Sequence, residues 1–179
     1  MNGSAGLKTL YVFMMGFFLA LTQTGFFFGM EIFFTSAFAG FGAVAGGWLL
    51  GSAAGLFIAK ARIWGSGAVR AQIAHIALCL AAYYALQWGL RTAPFDTALA
   101  PVYIVLIAVS GSQAGAFFAR SGGIFPTASR LYLWENNGFI AGWVAGFAGY
   151  VFMGSGFTLW APALAAALTA SLGNRAHKA

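Results

Sequence analysis

The chain has 179 residues, of which 61% are hydrophobic, 17% aromatic and 7% charged. A soluble domain carries about 25% charged residues to cover its surface, so this composition excludes an ordinary soluble protein. One cysteine excludes an internal disulfide, and two histidines with three acidic residues are too few for a metal cluster. The net charge of +6 comes from basic residues between apolar runs, which favours the lipid bilayer rather than nucleic acid as a partner.

Six apolar segments are long enough to cross a membrane, which takes about 20 residues of helix. The sequence predicts spans near residues 9 to 29, 38 to 59, 71 to 90, 98 to 119, 136 to 153 and 157 to 173. A very tight turn from Met153 to Phe157 separates the last two, and Pro162 is expected in the first turns of the sixth. We therefore predict an all-α integral membrane protein, with residues 1–179 forming one polytopic bundle of about six transmembrane helices.

The basic residues orient these spans, because positively charged loops stay in the cytoplasm. Six spans place eight of the nine basic residues on one side and leave Arg91 on the other. The eight are Lys8, Lys60, Arg62, Arg70, Arg120, Arg130, Arg175 and Lys178. We expect a protein of the bacterial inner membrane with both termini in the cytoplasm.

Glycines recur at every fourth residue on two of the predicted helices. They are Gly47, Gly51 and Gly55 on the second helix and Gly138, Gly142 and Gly146 on the fifth. This spacing lets backbones approach closely in lipid, so it predicts helix packing within the chain or, alternatively, the seam of a homodimer. On both helices a tryptophan directly follows one of these glycines. Two inverted three-helix repeats would produce this recurrence, although short glycine patterns also recur by chance.

The third predicted span carries the longest polar stripe. Gln72, His75, Cys79, Tyr83 and Gln87 follow one another at spacings of three or four residues and so share one helical face. Polar groups turned to lipid lose their hydrogen bonds, so this face is expected to point into the bundle. It forms either interhelical hydrogen bonds or a substrate path. Plausible partners are Thr22, Gln23 and Thr24 on the first span and Ser110, Ser112 and Gln113 on the fourth.

Glu31 lies near the outer end of the first span, where an unpaired acid is costly. Arg91 is the basic residue expected on the same side, so the sequence predicts either a structural ion pair or simple solvation of Glu31. The alternative is an acid linked to protons or cations in a cavity.

A second polar group lies between the fourth and fifth spans. Pro126 is expected to end any helix that continues from the fourth span, and Asn136 or Asn137 to cap the fifth, with Glu135 near its positive end. The alternative is a binding site for a cationic or polar group at the cytoplasmic mouth.

Three segments resemble a known membrane family. TGFFFGME at residues 24–31 and GFGAVAGGWLLGSAAGLFIAKAR at 40–62 precede GGIFPTASRLYLWENNGFIAGWVAGFAGYVF at 122–152. Together they resemble the membrane domain of spermidine-synthase-like proteins, with its acid after an apolar run, glycine-rich second helix and Gly-x-x-Phe-Pro turn. Thr24 stands where that family has serine and Met30 where it prefers tyrosine. The resemblance implies the membrane bundle without the aminopropyltransferase module, so we do not transfer that activity.

These observations lead to a functional expectation. No catalytic or cofactor-binding motif is present in the sequence. We therefore expect a protein that binds no cofactor or metal and is not an enzyme. A redox or quinone-handling enzyme would need ligands and cysteines that the sequence lacks. We expect a non-catalytic membrane subunit or anchor of a larger complex, with other membrane subunits as partners. The alternative is a small transporter or channel-like protein for a polar or cationic solute, working as a homodimer.

The predicted orientation can be tested by cysteine labelling in intact cells. An impermeant thiol reagent should label the Ala98→Cys variant, close to Asp96, and should not label Ser66→Cys, because the eight-to-one distribution of basic residues places the 61–68 loop inside. The unsubstituted chain, with Cys79 alone, gives the background. Reversed labelling would contradict the orientation.

Overall fold

The part of the chain that the structure describes folds into a bundle of α-helices. A computed structural model describes residues 3–34, 37–60 and 68–176. These residues form α1 (Gly3–Phe33), α2 (Ala37–Lys60), α3 (Ala68–Thr92), α4 (Ala100–Ser121), α5 (Ala128–Met153) and α6 (Ser155–Ala176). A 3-10 turn at Thr97–Leu99 precedes α4, and the described residues contain no β-strand, which confirms the all-α prediction. Arg62 and Lys178, which entered the orientation argument, lie outside the described residues.

Five of the helices in the described part are long and apolar enough to cross a membrane. They are α1, α2, α3, α4 and α6. Each contains the corresponding predicted span, except that the fourth span begins in the 3-10 turn Thr97–Leu99 before α4. The remaining helix, α5, has 26 residues, or about 39 Å of helix, and is therefore also long enough. Asn136, Asn137 and four glycines lower its hydropathy.

The connection between α4 and α5 differs from the prediction. α4 ends before Pro126, as expected, but α5 begins at Ala128 rather than at 136. Thr127 precedes this start in an extended conformation, and no side-chain hydrogen bond caps the helix. The asparagines at 136 and 137 lie two turns inside α5, so their predicted capping role is wrong. The polar run at residues 135–137 has the composition of a helix start. Residues 128–134 are also compatible with a helix, so α5 begins about two turns earlier than this run.

The tight turn predicted between the fifth and sixth helices is confirmed. α5 ends at Met153 and α6 begins at Ser155, so Gly154 alone joins them. This residue has a φ of 66°, which glycine adopts without the steric penalty of a Cβ atom. Its N–H still donates to the Tyr150 carbonyl at 2.8 Å, and the positive φ turns the chain out of the helix.

Basic residues gather at one end of the bundle, which we call the basic end. Contacts from α3 to α4 (Gln72 to Arg120) and from α1 to α6 (Tyr11 to Gly173) bring these helix termini together. The residues are Lys8, Lys60, Arg70, Arg120, Arg130 and Arg175, each within the first or last turns of its helix. At the other end, the N–H of Phe95 donates to the Phe33 carbonyl at 2.9 Å.

Glycines bring the backbones of α2 and α4 into direct contact. A Cβ atom added at Gly51 or Gly55 would overlap the carbonyl of Ala108 or Ser112 on α4. The contact is reciprocal, since a Cβ at Gly111 would lie 2.6 Å from the Trp48 carbonyl oxygen of α2. The predicted packing face of α2 is therefore used within the chain.

The backbones of α1 and α5 meet in the same manner. A Cβ atom at Gly138 would overlap the Phe13 carbonyl, and one at Gly142 would lie 2.6 Å from the Phe17 carbonyl oxygen. α1 contributes Gly16, whose added Cβ would overlap the backbone of α5. These two glycine interfaces are the most extensive helix contacts in the described bundle, and α1 also touches every other helix.

The glycine interfaces predict a sharp difference between alanine variants. Gly51→Ala and Gly138→Ala should each lower the free energy of unfolding by about 1–3 kcal/mol, because a backbone carbonyl occupies the space of the new methyl group. Gly46→Ala is the matched control, since no atom lies within 4 Å of its added Cβ. Thermal unfolding in detergent measures the effect. Equal stability of Gly51→Ala and Gly46→Ala would contradict the close contact.

Candidate functional site

The polar stripe of α3 faces the inside of the bundle, as predicted. Gln72, His75, Cys79, Tyr83 and Gln87 are each at most 5% exposed. Four of these side chains make hydrogen bonds to other helices. The stripe therefore ties α3 to α1, α4 and α6.

The middle of the stripe supplies a hydrogen-bond donor that α6 lacks. Pro162 lies in the third turn of α6, further inside than predicted, and has no N–H to bond the Thr158 carbonyl four residues earlier. The hydroxyl of Tyr83 donates to that carbonyl at 2.6 Å. The hydroxyl of Tyr84 donates to the next carbonyl, of Leu159. Tyr83 thus satisfies the carbonyl that the proline leaves without a helical donor.

Other polar contacts extend this network. Gln87 Nε2 donates to the Gly25 carbonyl of α1 at 2.9 Å, and Ser110 Oγ of α4 donates to the Cys79 carbonyl at 2.8 Å. The other partners proposed from the sequence bond elsewhere: Thr22 and Thr24 donate to carbonyls of α1, Gln23 accepts from Trp143, and Gln113 donates to Met15 Sδ.

A directed chain of hydrogen bonds runs from Arg120 through His75. Arg120 Nη1 lies 3.2 Å from Gln72 Oε1 and 3.4 Å from His75 Nδ1. A guanidinium only donates, so Nδ1 accepts and Nε2 carries the imidazole proton. His75 Nε2 then donates to Ser112 Oγ at 2.7 Å, and that hydroxyl donates to the Val109 carbonyl at 2.6 Å. The histidine is a neutral link between two α4 side chains.

Two donors at this place have no acceptor. Gln72 Nε2 and Arg120 Nη2 are buried and make no hydrogen bond. The amide of Gln72 is oriented by its neighbour, because Arg120 can bond only the amide oxygen. An unpaired buried donor costs about 1–3 kcal/mol, and more for a charged group. Both atoms are closed off from solvent, so each is an unpaired donor inside the bundle.

A small, largely apolar crevice lies between α1, α3 and α6. Its walls include Tyr11 of α1, Gln72 and Ile73 of α3, and Thr169 and Gly173 of α6. Gln72, one of the wall residues, accepts a hydrogen bond from Arg120, which is not itself part of the wall.

The remaining predicted site residues lie elsewhere. Glu31 and Arg91 are both exposed at the opposite end, and neither makes an ion pair among the described residues, so the predicted pair is not formed. Solvation, the alternative considered above, accounts for both. Asn136 and Asn137 are exposed on α5.

Glu135 is the acidic residue that the bundle buries. It is 5% exposed, and its carboxyl group makes no hydrogen bond or ion pair with the described residues. Its backbone carbonyl lies against Gly16 of α1. A buried charged carboxylate without a partner is costly. Glu135 lies two turns inside α5, so the prediction that it interacts with the positive end of that helix is wrong.

The inward position of Arg120 was not foreseen from the sequence, where it counted as a loop charge. The spacing of Gln113, Phe117 and Arg120 by four and three residues places them on one helical face. Both Gln113 and Phe117 are fully buried. That stripe could have indicated that the arginine at its end points inward.

No protein family, curated protein or solved structure matches this chain. Among the described residues, no group of three His, Cys, Asp or Glu side chains is placed to hold a metal ion. The site must therefore be interpreted from its own geometry, which offers hydrogen-bond donors and no carboxylate.

Removing one hydroxyl tests the link between the polar stripe and α6. Tyr83→Phe should lower the free energy of unfolding by about 1–3 kcal/mol, because it leaves the Thr158 carbonyl buried with neither the proline N–H nor the phenol as donor. Tyr132→Phe is the control, since that side chain is 50% exposed and its stacking on Phe118 survives the change. Equal unfolding midpoints in the two variants would contradict this role of Tyr83.

Proposed function

We propose that this chain is a non-catalytic integral membrane protein that serves as a subunit or anchor of a larger membrane complex. Its bundle would cross the membrane six times, with the basic end in the cytoplasm. Six described basic residues at that end, with Arg91 at the other, support this orientation.

The observation that carries the proposal is the use of the α3 polar stripe. A solute path through the bundle would need polar side chains that remain available to the solute. Those of α3 instead bond the carbonyls and side chains of three other helices. Opening a path along α3 would break several of these bonds at once, which favours a static role.

The outer helices support contact with lipid or partner helices. α2 and α5 each pack by a glycine face, and their other faces carry large exposed apolar side chains such as Phe57 and Phe152. α5 also exposes Asn136 and Asn137, whose amides have no partner in the described residues. Exposed amides on an apolar helix are suited to hydrogen bonds with a neighbouring transmembrane helix.

Transport by a homodimer is the second candidate, and one observation favours it. If α1, α2 and α3 are matched to α4, α5 and α6 in that order, the pair α1 with α5 corresponds to the pair α4 with α2. These are the two most extensive helix pairs. The pairs α1 with α6 and α4 with α3 correspond in the same way. This pattern supports two inverted repeats, as in many transporters. The contact between α1 and α2 has no counterpart of similar extent between α4 and α5.

Purification from the native membrane in a mild detergent tests the subunit proposal. Native mass spectrometry should find the chain with other membrane proteins in fixed stoichiometry. The double variant Asn136→Ala/Asn137→Ala should lose most of that partner while keeping its thermal unfolding midpoint, because it removes exposed amides. Ser129→Ala is the control, since it changes an exposed polar residue near the start of the same helix.

A chain recovered alone as a homodimer would contradict the subunit proposal. Solute flux by that homodimer in proteoliposomes would then establish the transport alternative. Retention of the partner by the double variant would place the contact on another face of the bundle.

A further inference from the structure

We propose that Glu135 is a proton-binding site that controls the contact between α5 and α1. With the proton bound, the two helices pack closely. When the proton leaves to water, the interface between them loosens. The inference goes beyond the subunit role proposed above and does not depend on it.

Glu135 lies on the face of α5 that packs against α1. The residues of this face are Leu131, Glu135, Gly138, Gly142 and Gly146, and all of them are buried. The carboxyl group of Glu135 makes no hydrogen bond or ion pair with the described residues. A neutral acid is far less costly in such surroundings than a carboxylate, whose charge needs water or a counter-charge. The closely packed bundle therefore holds this carboxyl group in its protonated form.

The backbones of α1 and α5 touch at the level of Glu135. A Cβ atom added at Gly16 would overlap the Glu135 carbonyl, and one added at Gly138 would overlap the Phe13 carbonyl. Such close contact leaves no room in the interface for the hydration shell of a carboxylate. Ionisation of Glu135 therefore favours separation of the two helices, because an opened interface lets water reach the charge.

The cations of the basic end do not neutralise Glu135. α5 packs against α1 and α6, and it touches α4 where Tyr132 stacks on Phe118. The charged or titratable residues of these helices at the basic end are Lys8, Tyr11, Arg120 and Arg175, with Arg130 and Tyr132 on α5 itself. None of them makes a hydrogen bond or an ion pair with Glu135 in the described part of the chain. The proton at Glu135 therefore competes with no neighbouring cation among these residues.

The position of α5 allows it to respond to the proton. Glu135 follows the first residue of α5 by about 10 Å of helix, so it lies near the water at the basic end. α5 also stands outside the polar network of α3. Among the described residues, its side chains bond another helix only where Trp143 donates to Gln23. α5 can therefore move against α1 while the hydrogen bonds of α3 persist.

Thermal unfolding in an uncharged detergent between about pH 5.5 and 8 tests the proton binding. An unfolded chain loses a glutamate proton near about pH 4.3, so above that pH the folded state binds more protons and its stability falls as the pH rises. The unfolding midpoint of the wild type should fall by about 5 °C or more over this range. Glu135→Gln should lack this fall, because its buried amide carries no charge at any of these pH values.

Two further variants make the first measurement specific. Glu31→Gln is the matched control, since it removes an exposed acid at the other end of the bundle and should keep the pH dependence of the wild type. Glu135→Met replaces the carboxyl group by an apolar side chain of similar length. It should lack the pH dependence, and it tests the site if Glu135→Gln does not fold.

Thiol alkylation measures the opening of the interface. Val12 is fully buried and shares the face of α1 that contains Gly16. From pH 5.5 to 8, alkylation of Val12→Cys by iodoacetamide should accelerate about tenfold more than that of Val12→Cys/Glu135→Gln, which gives the intrinsic pH dependence of the thiol. Cys79 is fully buried beside α4 and should stay unreactive at both pH values.

Each outcome decides the proposal. It is supported if Glu135→Gln removes both the fall of the midpoint and the extra acceleration at Val12→Cys. The proposal is wrong if the wild type and Glu135→Gln share one pH dependence, or if Glu31→Gln loses it as fully. It is also wrong if Glu135→Gln leaves the alkylation of Val12→Cys unchanged, or if Cys79 becomes reactive together with Val12→Cys.

Discussion

The backbones of α2 and α4 touch at glycines on both helices, and those of α1 and α5 touch in the same way. In lipid, helices gain little by burying apolar side chains, so association depends on close packing and on the hydrogen bonds that short distances allow. Ser52 illustrates both effects, because its hydroxyl bonds its own helix at Trp48 and also reaches the Gly111 carbonyl at 3.1 Å. The glycine contact fixes α4 against α2. α4 in turn holds Ser110, Ser112 and Arg120 against α3.

Much of the fold follows from composition and periodicity, because lipid imposes strict conditions on a helix. Apolar length predicted the spans, four-residue glycine spacing predicted the packing faces, and the inability of lipid to form hydrogen bonds predicted the buried stripe of α3. The helix partners could not be predicted, since spacing on α2 says nothing about Gly111 and Gly115 of α4. The start of α5 was missed because a polar run at Glu135 resembled a helix terminus, and only tertiary packing distinguishes the two.

The site was harder to predict than the fold, because a charged side chain near a helix end can be satisfied either by water or by polar groups inside the bundle. Glu31 and Arg91 were placed correctly at one end, yet each side chain is exposed, so water can satisfy them without an ion pair. Arg120 has the same position relative to its helix end but points inward, where Gln72 and His75 offer acceptors. The sequence predicts the position of a charged residue along its helix better than the direction in which its side chain points. The direction depends on which acceptors the neighbouring helices bring within reach.

The two ends of the α3 stripe therefore serve different purposes. At the end opposite the basic end, Tyr83 and Gln87 donate to carbonyls of other helices. The Thr158 carbonyl would otherwise lack a donor because of Pro162. At the basic end, Gln72 and Arg120 satisfy each other only in part and leave two buried donors. A path for transport would require groups that exchange partners along its length, whereas here the unused donors are confined to one end. The bonded part of the stripe holds α3 against α1 and α6, and a bundle tied in this way suits a static role better than a moving one.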